Sequence, residues 1–295
     1  MSDATHIPVL KEEVLHFLKP EENEDFIDCT AGEGGHSEAI LEKNAPLGRV
    51  LAIEWDTEIF EFLKEKFEKE KRLVPVNESY TLIGEITKKK RFHPVSGILF
   101  DLGFSSFHID ESGRGFSFMR NEPLDMRYNK DNPLTAREIV NNYKEEDIKH
   151  ILKKWGDEKY AGIIAQRIAL ERRECPIETT SQLAKIVAKA VPESEKKKRK
   201  INCATKTFQG LRIAVNGELL GLESVLPEAF DLLKPKGRMV IICFHEGEEK
   251  IASNFFKKKK READLLTEDP VTPTFEEKQN NIRSRSAKLY ALRKK

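Results

Sequence analysis

Short runs of apolar and β-branched residues at 26–29, 49–54, 72–77 and 96–101, each followed by a turn or a polar segment, punctuate the first hundred positions. Between the first three, apolar positions recur at helical spacing, most clearly over 57–67, Thr-Glu-Ile-Phe-Glu-Phe-Leu-Lys-Glu-Lys-Phe. Strands alternating with helices predict a parallel sheet covered on both faces. The alternation stops after Asp101. From about Thr135 to Pro192 the chain reads as helix after helix, over 138–143, 149–155, 160–172 and 181–191. A helix over about 206–233 ends in Lys-Pro-Lys-Gly, a stop signal. Strands return at 237–245 and 287–293. The pattern predicts an α/β sheet domain built from 1–108 and 206–295, interrupted by an all-helical insertion over 109–205. The insertion leaves after the fourth strand, at the carboxyl edge where ligands bind in such folds.

Composition narrows this picture without redirecting it. The 295 residues are 39% apolar and 34% charged, with a formal net charge of +1. No global basic field draws in a polyanion, so any nucleic-acid site has to be a local patch. Cys29, Cys175, Cys203 and Cys243 are scattered. They form neither a zinc ribbon nor a disulfide framework and fit reduced thiols in the cytosol. No metal-ligand cluster is visible. The first residues carry no apolar run or cleavage signature, and no window approaches the length of a membrane span. The expectation is a soluble, cytoplasmic protein with no membrane partner.

Candidate chemistry begins at Phe26-Ile-Asp-Cys-Thr-Ala-Gly-Glu-Gly-Gly-His36, a buried strand that breaks into a glycine-rich turn and opens a helix. Gly32, Gly34 and Gly35 let a ligand approach the main chain, and the first amides of the helix point at it. About twenty residues on, the second strand ends in Glu54, where a doubly wound fold places the carboxylate that binds ribose hydroxyls; a solvated strand end is the plainer alternative. The third glycine of a dinucleotide fingerprint is absent. Asp28 at the strand end suits a ligand with an amino group and a positive centre, such as S-adenosylmethionine, and would repel a pyrophosphate. The fourth strand ends in Asp101, at the mouth of the same crevice. An acceptor there could draw on the N–H of an exocyclic amine and take up charge as it develops; it could equally bind the cofactor or cap the following turn.

The segment 113–127, Gly-Arg-Gly-Phe-Ser-Phe-Met-Arg-Asn-Glu-Pro-Leu-Asp-Met-Arg, mixes aromatic rings and guanidinium groups on which a splayed-out base could stack. A hydrophobic plug is the competing reading for Phe116 and Phe118. Basic runs occur at 88–91, 196–200, 257–261 and 283–288, each ordinarily a solvated face. The run 196–200 leads back from the insertion into the sheet domain, which makes Lys198, Arg199 and Lys200 the phosphate-contact candidates. His16, His93 and His150 carry no partner signal.

These segments together resemble one family nearly end to end. His6-Ile-Pro-Val, Asp28-Cys-Thr-Ala-Gly-Glu-Gly-Gly-His-Ser37, Asp101-Leu-Gly, Arg114-Gly-Phe-Ser-Phe, Pro123-Leu-Asp-Met-Arg127, Ala204-Thr-Lys-Thr-Phe-Gln209 and Arg285-Ser-Ala-Lys-Leu289 are similar to the RsmH (MraW) family of small-subunit rRNA cytosine-N4 methyltransferases. The resemblance implies a class I, Rossmann-like methyltransferase fold with an inserted helical domain. It implies S-adenosyl-L-methionine as cofactor and as substrate a decoding-centre cytidine of 16S rRNA in the small ribosomal subunit. Implied cofactor contacts are Gly34, Gly35, His36, Glu54, Tyr80, Asp101 and His108, with Gly32 in the same turn. The residue reading assigns the RNA contacts to Phe104, Arg114, Phe116 and Arg127 with the basic run. Oligomeric state stays open, a homodimer included. Glu54 and His108 stand where the family usually has aspartate and glutamine, and Cys243-Phe-His-Glu-Gly-Glu-Glu-Lys250 keeps only Phe244, His245 and Glu248 in step. That divergence gives a rival reading, a non-catalytic ribosome-assembly factor, its main support; a nicotinamide oxidoreductase is a distant third.

Overall fold

The computed structural model describes residues 8–199 and 201–295, so Lys200 and the start of the His6-Ile-Pro-Val segment lie outside the described residues. Two compact units divide the chain. One comprises 1–105 with 219–295, the other 106–218.

The sheet unit opens with α1 (Lys11–Leu18), β1 (Phe26–Asp28), α2 (Gly35–Lys43), β2 (Val50–Glu54), α3 (Thr57–Lys66), β3 (Leu73–Asn77), α4 (Ile83–Lys90) and β4 (Val95–Asp101). The helical unit holds α5 (Ser106–Asp110), α6 (Ala136–Asn142), α7 (Glu145–Lys154), α8 (Ala161–Glu174), α9 (Thr180–Ala190), α10 (Glu193–Lys198) and α11 (Thr205–Asn216). The chain returns through α12 (Glu218–Leu232), β5 (Leu233–Cys243), α13 (Glu246–Lys259), β6 (Ala263–Leu265), α14 (Phe275–Asn280) and β7 (Lys288–Lys294).

Among the described residues, seven strands form one sheet in the order β3-β2-β1-β4-β5-β7-β6. The first five are parallel; β7 runs antiparallel to both β5 and β6. The α/β class read from the sequence is therefore present, with an antiparallel edge added to the expected parallel sheet. The buried stretches of the central strands are mostly apolar because alternate residues feed cores on opposite faces. Phe26, Val50, Ala52, Leu99 and Val240 enter one cluster with α1 and α2. Ile27, Leu51, Ile53, Ile98 and Met239 enter the other with α4, α12 and α13. Strand order reverses between β1 and β4, a switch point at whose carboxyl ends such folds bind their ligands.

Local signals explain where several elements begin and stop. The Asp56 side chain accepts from the amides of Glu58 and Ile59 and starts α3. Thr179 and Gln182 form a capping box on α9. The helix expected over 206–233 is two helices: Gly217, left-handed at φ 62°, ends α11 before α12 begins. By its contacts α11 packs on α6 and α7 inside the helical unit, which extends to Glu218 and so beyond the expected return at 206. No helix among the described residues is long and apolar enough to cross a membrane.

Candidate active site

The turn after β1 is tied to both neighbouring strands. Ala31 N donates to Ile53 O at 3.0 Å, and the Thr30 hydroxyl accepts from Asp101 N at 2.7 Å. Glu54 closes the ring from the side: its Oε2 accepts from Gly32 N at 2.9 Å and its Oε1 from Asp56 N at 2.7 Å. Asn77, in register opposite Glu54 on β3, donates to the carbonyls of Glu54 and Trp55 and fixes that strand end. Sequence reasoning misses Thr30 and Asn77. Their positions just past β1 and at the end of β3 are the signal that could have found them.

The glycines have separate reasons. A Cβ on Gly34 would lie 2.4 Å from Phe67 and 2.7 Å from Leu63, and one on Gly35 would lie 2.4 Å from Pro8. Both make room for the protein's own packing. Gly32, at φ 53°, is the open one: a Cβ there meets nothing closer than 4.0 Å, leaving space over the turn. Gly34→Ala adds a clash (about 1–3 kcal/mol) to left-handed strain (about 1–2 kcal/mol). It is expected to lower the unfolding free energy by at least about 2 kcal/mol in urea titration on those figures. Gly32→Ala is expected to lose about 1–2 kcal/mol from strain alone and to weaken cofactor binding at unchanged cooperativity.

Three titratable side chains meet beneath the turn. Asp28 is 1% exposed. It accepts from the Ser37 hydroxyl at 2.8 Å and from Thr30 N at 3.2 Å. Burial pushes its carboxyl up, the nearby His36 opposes that, and Asp101 adds to it. The sequence cast Asp28 as a ligand contact; the structure makes it a buried brace under the helix start. His36 is 6% exposed, its Nε2 3.5 Å from Asp101 Oδ2. Both ring nitrogens of His36 and Oδ1 of Asp101 are buried without a hydrogen-bond partner. Orphaned polar atoms inside a protein are costly, and their convergence beside an uncapped helix start marks a place for a polar ligand. Burial pushes the half-buried Glu54 up to about 7; the Asp56 and Gly32 amides pull the other way, and the Asp56 charge adds to the rise.

Gly32, Gly34, Gly35, His36, Glu54 and Asp101 thus gather at one sheet edge. Tyr80 follows β3 and packs edge-on against Phe100 with centroids 5.8 Å apart. Phe104 lies in the loop after β4, partly buried.

A family model described as the MraW methylase family matches residues 3–295. The chain belongs to the MraW methylase family. The methylase description is in keeping with the methyl-donor cofactor expected from the sequence. Among its relatives, the ribosomal RNA small subunit methyltransferase H of Thermosipho melanesiensis is 43% identical over 284 residues, covering 96% of each chain. The protein of the same name from Clostridium botulinum is 39% identical over 306 residues, covering 98% of each. Similarity to solved structures is more distant. An rRNA methylase from Streptococcus thermophilus shares 10% identity at TM-score 0.44, covering 98% of this chain and 99% of that one.

Two of the segments that carry the resemblance, 114–118 and 123–127, sit in the helical unit and are knitted to each other. The Arg114 guanidinium donates from Nη1 to the carbonyls of Arg127 and Tyr128, both at 2.9 Å, and Met126 N donates back to Arg114 O at 2.8 Å. Gly115, at φ 75°, lies where a Cβ would come within 2.2 Å of Pro123 O. Buried Asn216 clamps the result, donating to Met126 O and accepting from Tyr128 N. Arg127 grips Asp125 with two 2.8 Å bonds. Burial would raise the Asp125 carboxyl, but that fork holds it below its ordinary value. Phe116 stacks on Tyr128 at 5.4 Å, and His108 packs against both rings. His108 thus belongs to the helical unit's aromatic cluster.

The expected phosphate contacts divide as well. Lys198 is exposed beside Glu195 at 3.6 Å. Arg199 is an internal strut: its guanidinium meets the fully buried Glu158 at 2.7 and 3.0 Å and bonds Cys203 O. Leaving that carboxylate alone inside costs about 3–5 kcal/mol. Arg199→Ala is expected to lower stability by that amount in denaturant titration, while Lys198→Ala stays within about 0.5 kcal/mol of the parent.

The divergent segment after β5 turns out to be a helix start. His245 Nδ1 accepts from the amides of Gly247 and Glu248, and Glu248 Oε2 accepts from the amides of Phe244 and His245. Retention of His245 and Glu248 amid divergence is explained by this capping box on α13.

Proposed function

We propose that the protein transfers a methyl group to the N4 amine of a decoding-centre cytidine in 16S rRNA. The observation that carries the reading is the approach of His36 Nε2 to Asp101 Oδ2 at 3.5 Å at the switch point, with both His36 nitrogens and Asp101 Oδ1 lacking a hydrogen-bond partner, in a chain whose relatives are named for small-subunit rRNA methylation. The residues present fit S-adenosylmethionine. Glu54 offers a carboxylate to ribose hydroxyls. The open side of Gly32 admits the nucleoside. The α2 amides and His36 suit the amino-acid end. When bound, the cofactor would supply an electrophilic methyl on sulfonium sulfur, whose carbon–sulfur bond breaks to leave a neutral thioether.

The rest of the chemistry belongs to the protein. The cytosine amine is conjugated with its ring and is a poor nucleophile. Asp101, held through its own amide by Thr30, accepts one N–H and so orients the nitrogen lone pair. As the new C–N bond forms, the nitrogen becomes cationic, and the same carboxylate stabilises that charge and receives the proton. The rival assembly-factor reading drew on the divergence after β5; of that segment, the kept His245 and Glu248 form the cap of α13. Incubation with cofactor and unmodified small subunits, followed by nucleoside mass spectrometry, tests the proposal. N4-methylcytidine is expected; its absence with cofactor demonstrably bound rejects it.

A further inference from the structure

The sheet unit has a cavity of about 250 Å³ that methyl transfer does not use. Its walls are the end of β5 with the start of α13 (Cys243, Phe244, His245, Glu246, Glu249) and the segment leading into β7, which contributes Lys278, Arg285 and Lys288. The acidic wall is occupied. Glu249 Oε2 takes Lys288 at 2.7 Å and its Oε1 takes the Tyr290 hydroxyl at 3.0 Å, while Glu246 lies 3.8 Å from Lys250. Arg285 donates only to Lys278 O, at a long 3.5 Å, and among the described residues neither Arg285 nor Lys278 has an acidic partner. Two uncompensated cations therefore border one concavity, with the Ser286 and Thr272 side chains beside them.

A second observation comes from the same segment. Phe275, one turn before Lys278 on α14, is 78% exposed, and Ile282 is 65% exposed. Large apolar side chains interleaved with such cations suit a single-stranded nucleic acid, which offers a phosphate to the cation and a base face to the ring. The register places the feature near the reacting centre. Asp101 pairs with Ile242, Ile242 with Leu289, and Lys288 is the neighbouring position on β7. Two strand spacings amount to about 10 Å, within reach of a nucleotide neighbouring the one held at Asp101.

We propose that this cleft binds a backbone phosphate of the single-stranded rRNA flanking the target nucleotide, through Arg285 and Lys278, with Phe275 stacking on an adjacent base. The inference rests on the methyltransferase reading for the identity of the RNA. It assigns a role to the Arg285-Ser-Ala-Lys segment, which the methyl-transfer site leaves unused.

The test is direct binding of purified small subunits by the full-length protein across a salt series, with methylation measured in parallel. For the Lys278→Ala, Arg285→Ala double variant, subunit affinity is expected to fall at least about tenfold. The slope of log affinity against log salt should shrink by about 0.7 for each phosphate that is no longer neutralised. KM for subunits should rise while cofactor affinity and melting temperature stay at parental values. Arg285→Lys should retain most of the affinity, and Phe275→Ala should weaken binding with no change in slope. Parental affinity and slope in the double variant would overturn the inference and leave methyl transfer standing. Impaired subunit binding by the double variant, in a protein whose parent makes no N4-methylcytidine, would uphold the cleft and reject the activity.

Discussion

Replacing Asp101 by asparagine is expected to cut methyl transfer by about 10²- to 10⁴-fold, the usual worth of a positioned acid–base group, while leaving the protein at least as stable as the parent. The two halves have one cause. Asp101 Oδ1 is buried without a partner, and the Asp101 charge pushes the Asp28 carboxyl further up. Removing that charge relieves repulsion beneath the turn, yet it also removes the base that stabilises the developing cation and receives its proton. Single-turnover methylation and thermal unfolding of Asp101→Asn, with cofactor titrated by calorimetry, separate the effects. Cofactor affinity is expected to change much less than rate. If affinity falls as far as the rate does, Asp101 is a cofactor ligand and the proposed role is wrong.

Cofactor binding should weaken as pH falls below 7. Burial raises the Glu54 carboxyl to about 7 in the free protein, so the protonated form is favoured by folding. Its stabilising contribution is complete below the ordinary glutamate range and is lost as pH rises through 7. Ribose hydroxyls donate to the ionised form, so binding must draw the proton off. With about one site in ten ionised at pH 6, affinity there should be about tenfold below its plateau above pH 8. Glu54→Gln should flatten the profile. It should also lower plateau affinity by roughly 10- to 150-fold per hydroxyl contact, from about 1.5–3 kcal/mol per charged hydrogen bond. Calorimetry at several pH values checks both. A parental profile that stays flat from pH 6 to 8 would remove Glu54 from the ribose site.

The parts of the fold legible in the sequence are those whose physics is local. Strands β1, β2, β4 and the second half of β5 are buried and so appear as mostly apolar runs, and α6 to α9 carry one apolar stripe each. Strand β6 is three residues at the sheet edge, too short to show a period. The direction of β7 is set by its partner, which its own residues do not encode. The same division runs through the site. Glycines, strand-end carboxylates and their spacing are visible in one dimension. That Pro8 fills the space beside Gly35, that Arg199 is taken up by Glu158, and that Asp28 is sealed under Ser37 depend on contacts between distant segments. A guanidinium in a basic run reads the same whether it faces RNA or braces a helix. Only the position of its acid decides.

The central claim is that S-adenosylmethionine occupies the edge formed by β1, β2 and β4 with its methyl group presented at Asp101. A crystal structure of the protein with S-adenosylhomocysteine and cytidine tests this most directly. The account requires both ribose hydroxyls on Glu54 and the cytidine N4 within hydrogen-bond distance of the Asp101 carboxylate. Ribose bound away from Glu54, or Asp101 taken up by the cofactor with the cytidine elsewhere, would contradict it.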